Sequence, residues 1–126
     1  MSKFMRRSPL RFRIYLAGTW YVRVLVADTK ADMWRALEAC HGERHQHELA
    51  ATVYSPGLPE RGCVADMFFY WRGLRPSTIA HEAAHGAYAV AVAMRQSVGA
   101  ESDEHIAKWV EMITEKIWLR TQSAAL

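Results

Sequence analysis

The sequence predicts a small α+β domain: a mixed or antiparallel sheet of about four strands, packed on a long alanine-rich helix and a C-terminal helix. Three observations predict it. Residues 11–27 alternate apolar and polar, the period of a half-buried strand. Residues 75–118 carry apolar side chains at helical spacing. The chain has 126 residues, 51% of them hydrophobic and 23% charged. That is one domain with enough core to fold without staples. Disorder, a coiled coil and a collagen-like repeat are excluded by the same composition. The expected domain spans residues 1–126, with 1–10 as a flexible basic arm.

The elements follow in order. Phe12, Ile14 and Leu16 share one face of a first strand, and Arg11, Arg13 and Tyr15 the other. Gly18 and Thr19 supply a turn, and Tyr21 to Val26 completes a hairpin. Asp28 or Thr29 caps a helix running to about Cys40, with Met33, Trp34, Leu37 and Cys40 inward. Leu49 to Tyr54 reads as a third strand. The segment SPGLPERG is turn chemistry. Val64 to Trp71 reads as a fourth, buried strand. A long helix then starts at Pro76, capped by Ser77 or Thr78, and stops at Gly99. Ser102 or Asp103 opens a last helix in which Ile106, Val110, Ile113 and Ile117 form the inner stripe. The resulting order is β-β-α-β-β-α-α.

Charge is unevenly placed. Lys3, Arg6, Arg7, Arg11, Arg13 and Arg23 all precede the first acidic residue, Asp28. The remainder holds 10 basic and 13 acidic residues. The overall +3 therefore comes from the N-terminal segment. It reads as a solvated arm leading into a strand with outward arginines, with nucleic-acid binding through this basic N-terminus as the rival. The apolar stretch Ile14 to Ala17 is too short for a secretory signal. No apolar run reaches the roughly 18 residues of a membrane span. Cys40 and Cys63 read as reduced, buried thiols, and the expected location is the cytoplasm.

One string carries chemistry: His81-Glu82-Ala83-Ala84-His85, an HExxH. On a helix its histidines lie one turn apart on the same side, placed to bind one Zn²⁺ at about 2.0–2.1 Å. Glu82 is offset by about 100° and lies beside the metal, as a general base for bound water. Burying two histidines and a glutamate unpaired among Ala, Val and Ile is costly, and a metal removes that cost. A third ligand must come from elsewhere, because residues 86–91 hold no histidine. Glu101, Asp103, Glu104 and His105 are the candidates. Glu104 is followed three residues on by the small Ala107. Asp103 projects closer to the apolar stripe. As oxyanion donors, Tyr88 and His105 are available. A peptide could add as a strand along an exposed edge at Asp66 to Tyr70. His41, His45 and His47, with Cys40 and Glu43, read as a solvated loop rather than a second metal site. Phe68, Phe69, Tyr70 and Trp71 read as core and sheet surface, and Trp34, Trp109 and Trp118 as core or interface.

The strings STIAHEAAHGAY and DEHIAKWVEMITEKIW resemble small phage and prophage HExxH proteins of the minimal gluzincin type. Their pattern is a strand, an HExxH helix, then a helix opening with Glu-x-x-Ala, an arrangement shared with ImmA/IrrE-type metallopeptidases. The resemblance covers roughly residues 62–120. It implies a zincin-like fold with a zinc cofactor, His81, His85 and Glu104 as metal ligands, and Glu82 as the catalytic glutamate. It also implies a phage-derived protein working in a host cytoplasm as a zinc-dependent metallopeptidase on a peptide or protein substrate. The alternative is a non-enzymatic phage accessory or anti-defence protein that keeps the metal site and binds a host protein.

Overall fold

The computed structural model describes residues 7–42, 49–55, 62–94 and 100–125. Seven elements succeed one another: β1 (Leu10–Ala17), β2 (Trp20–Ala27), α1 (Lys30–His41), β3 (Ala51–Tyr54), β4 (Gly62–Tyr70), α2 (Pro76–Ala93) and α3 (Ala100–Ala125). A single 3-10 turn, Trp71–Gly73, joins β4 to the α2 segment. The order is the one the sequence predicts, and the class is α+β.

The four strands form one mixed sheet in the order β1-β2-β4-β3. β1 and β2 are an antiparallel hairpin, with Ile14 opposite Val22 and Arg13 opposite Arg23. The hairpin turns at Gly18, whose φ of 56° lies in the left-handed region that glycine adopts without side-chain strain. β2 and β4 are parallel, and β3 pairs antiparallel with β4 on its far side. β4 is therefore internal. The free edges belong to β1 and β3, which corrects the expected edge at Asp66 to Tyr70.

Alternation sends the side chains of each strand to two different layers. Ile14, Val22, Val24, Val26, Met67 and Phe69 face α2 and α3, where Ile79, Ala83, Ala87, Val90, Trp109, Ile113 and Ile117 complete the larger core. Leu25, Ala27 and Phe68 face α1, packing on Met33 and Leu37. α2 lies over β2, β4 and β3, and α3 lies over β1 and along α2. Gly86 permits that close approach. A Cβ there would stand 3.3 Å from both Ile113 Cδ1 and Met67 Sδ.

Local chemistry explains the element ends. The Thr29 hydroxyl accepts the Asp32 N–H at 3.1 Å, so Thr29 is the cap of α1. α2 has Pro76 in its first turn and Arg75 at the cap position, with no side-chain cap bond. The predicted Ser77 or Thr78 cap is thus displaced: proline sets the helical φ one residue earlier. α3 begins at Ala100, ahead of the expected Ser102 or Asp103. β3 starts at Ala51, leaving Leu49 exposed and outside the strand. β4 ends at Tyr70, with Trp71 opening the 3-10 turn. Cys40 is exposed and Cys63 half-buried, both free. The buried stripe of α1 ends at Leu37, its last residue in this cluster. Trp109 is buried, whereas Trp118 is exposed.

Of the expected basic arm, residues 1–6 lie outside the described residues. Arg7 is held: its N–H donates to Asp28 Oδ1 at 3.1 Å, and its guanidinium covers Trp71 at 4.9 Å. Leu10 already belongs to β1. Gly99, Glu43, His45 and His47 also lie outside the described residues, as does the side chain of His41. No helix among the described residues is long and apolar enough to cross a membrane.

Candidate functional site

The HExxH string spans the second and third turns of α2. Helical spacing divides its side chains between two environments. Ile79, Ala83, Gly86, Ala87 and Val90 face the sheet, and Glu82 turns inward with them. His81, His85, Tyr88 and Val92 form the outer stripe. The two imidazoles lie next to each other, 5.1 Å between ring centroids and edge to face. Their proximity is what the i, i+4 spacing requires.

Burial corrects one expectation. Neither histidine is buried, so neither carries the desolvation cost the sequence suggested. Only Glu82 does, at 7% exposure. Its compensation comes from the edge strand: Thr52 Oγ1 donates to Glu82 Oε1 at 2.8 Å and lies 3.3 Å from the Glu82 carbonyl oxygen. Thr52 stands opposite Met67, on the face of β3 that meets α2. The second carboxylate oxygen, Oε2, is 3.9 Å from His81 Nε2. One oxygen of Glu82 is thus anchored and the other lies near His81.

Tyr54 follows Thr52 two residues on, so it faces α2 as well. Burial raises its phenol above the ordinary value, and nearby Tyr88 adds to that rise. Tyr88 is exposed on the histidine stripe, as the spacing predicts. The strip between α2 and β3 therefore carries two histidines, two tyrosines and one anchored carboxylate.

The third-ligand candidates stand in the first turns of α3. Asp103, Glu104 and His105 are exposed, and the His105 ring lies 5.8 Å from that of Trp109. The Glu101 side chain lies outside the described residues. Among the described residues no group of three or more His, Cys, Asp or Glu side chains is placed to hold one metal ion. The described residues bring two imidazoles together and do not bring Glu104 to them. No known protein family, curated protein or solved structure matches the chain.

Sequence reasoning missed Thr52 and Tyr54. The alternation of residues 51–54 was visible, but not which helix the strand would meet. It also missed the bidentate pair of Arg23 and Asp66, with Nε–Oδ1 at 2.5 Å and Nη2–Oδ2 at 2.9 Å. A separation of 43 positions carries no local signal of contact.

Proposed function

We propose that the protein is a zinc-dependent hydrolase of peptide bonds, zincin-like in fold, with the α2 strip as its active site. In this reading His81 and His85 would hold the metal, Glu104, which the described residues do not bring to them, would have to be recruited as the third ligand, and Glu82 would be the proton carrier. When bound, zinc supplies a Lewis acid and a water acidified towards neutrality. The rest belongs to the chain. Thr52 holds Oε1 of Glu82 and so leaves Oε2 as the oxygen that takes a proton and returns it to a leaving amine. The free edge of β3 offers backbone groups on which an extended peptide can align beside the histidines. The tyrosine hydroxyl of Tyr88 is a donor on the same stripe. The single observation that carries this reading is the geometry of Glu82: buried, anchored on one oxygen, and with the other 3.9 Å from His81, the neighbour of an exposed His85.

A second reading has an observation of its own. Both histidines are exposed, and no third donor joins them among the described residues. A helix face of this kind also suits a non-enzymatic accessory protein that docks a host protein through α2. One experiment separates the two. Purified protein is loaded with zinc, assayed for bound metal, and incubated with a broad peptide library. The enzyme reading expects about one zinc per chain and cleavage products. It also expects Glu82→Gln to keep the metal and lose at least about 100-fold in rate. Retained metal without any cleavage favours the docking protein. No metal retained by the wild-type chain removes both versions of the site.

A further inference from the structure

Among the described residues, the sheet face opposite α2 and α3 is only half covered. α1 seals Leu25, Ala27 and Phe68, and beyond that cluster the strands run on. The register aligns what is left. Arg11, Arg13 and Tyr15 on β1 stand directly opposite Leu25, Arg23 and Tyr21 on β2, and Asp66 on β4 stands opposite Arg23. Three of the arginines that make the N-terminal segment basic are therefore neighbours on one surface.

Their charges are not equivalent. Arg23 grips Asp66 through two parallel hydrogen bonds, so that pair is internally neutralised. Arg11 and Arg13 make no ion pair among the described residues. Arg13 instead lies over the Tyr21 ring at 4.6 Å and donates to the Tyr15 hydroxyl at 3.4 Å. The rings of Tyr15 and Tyr21 are 5.0 Å apart, and Tyr15 is 52% exposed. A large aromatic left half in water beside two guanidinium groups that make no ion pair among the described residues is not accounted for by core packing. Next to it the small Ala36 and Ala39 of α1 open a cleft of about 510 Å³ above Arg13 and Arg23.

We propose that this face binds single-stranded nucleic acid, with a base stacking on the exposed Tyr15 ring and phosphates held by Arg11 and Arg13. Charge complementarity selects a polyanion, and the exposed ring selects among polyanions: every base has a π-face that stacks on tyrosine. An acidic peptide would satisfy the arginines but leave the ring without a partner. A duplex hides its base faces and offers phosphates alone. The interaction is independent of the metal and of Glu82.

The test uses the whole chain and fluorescein-labelled mixed-sequence 12-nucleotide DNA and RNA single strands, read by anisotropy. Either strand should bind, with log K falling with log salt at a slope near −1.4, about −0.7 for each of two phosphates. Tyr15→Ala should weaken binding at least about fivefold. Arg13→Gln should weaken it and flatten the salt slope, whereas Lys108→Gln, an equal charge change on α3, should leave both unchanged. Thermal unfolding confirms that each variant is folded; all three side chains are exposed. No binding of either strand at about 100 μM protein overturns the proposal, that being the weak end of non-specific affinity. So does a duplex bound as tightly as a single strand, displacement by polyglutamate at equal charge, or the same loss in Lys108→Gln as in Arg13→Gln.

Discussion

The same four strands present two unlike faces. Towards α2 and α3 the side chains are Ile14, Val22, Val24, Val26, Met67 and Phe69, and all six are buried. Towards α1 the row Leu25–Phe68 is buried, but the next rows hold Arg13, Arg23 and Asp66, then Tyr15 and Tyr21. The difference lies in coverage. Two helices of 18 and 26 residues lie on the first face, and one helix of 12 residues on the second. Period-two alternation determines which residues share a face, and helix length decides how much of that face leaves water. Stability should therefore reside on one side of the sheet, leaving the other able to carry charge.

Truncation on each face puts the largest effect to the test. Ile113→Ala empties a fully buried site between α3, Gly86 and the sheet, and should cost about 2–5 kcal/mol. Arg13→Ala on the open face should stay within about 0.5 kcal/mol. Urea denaturation of the two variants checks this, and comparable losses would abolish the distinction between the faces.

A smaller effect sharpens the boundary between them. Asp66 is 7% exposed, although it belongs to the open face, and Arg23 is its bidentate partner. Arg23→Ala leaves a nearly buried carboxylate short of that partner. Half of the arginine side chain is in water, so the cost should be about 1–2 kcal/mol rather than that of a fully buried pair. In a double-mutant cycle with Asp66→Ala, a positive coupling energy is expected. Additive losses would assign the cost to packing alone.

The smallest effect is read through pH, at the edge of the covered face. Burial, with Tyr88 nearby, raises the Tyr54 phenol above the 10.0 of a free tyrosine. The folded chain therefore holds that proton more tightly than the unfolded chain. The resulting stability is complete below the unfolded value and is lost as pH rises through the folded one. Between about pH 9 and pH 11, the wild type should lose more stability in urea titrations than Tyr54→Phe. Equal losses would place Tyr54 in water rather than against α2.

Much of this arrangement was legible beforehand because it is local. Arg11 to Leu16 alternate, and the strand exposes and buries them in that order. Ile113 and Ile117 lie one turn apart and are both buried. The spacing of His81 and His85 sets both on one side of α2, and Glu82 on another. Less legible were the caps: α2 starts at Pro76 as expected, but Arg75 rather than Ser77 or Thr78 stands at its cap position. The exposure of the histidines was not legible at all. An alanine-rich helix reads as buried all round, yet only the stripe from Ile79 to Val90 meets the sheet.

The sequence by itself determined the element order, the residues sharing each face, an α1 cap at Asp28 or Thr29 and the histidine spacing, since all depend on neighbours a few residues away. Tertiary structure alone decided strand order. Parallel pairing of β2 with β4 made β4 internal and put β3 at an edge beside α2. That choice supplied Thr52 to Glu82 across 30 residues and Asp66 to Arg23 across 43. Contacts at such separations depend on which surfaces are left to cover once the elements exist, and no local period encodes that.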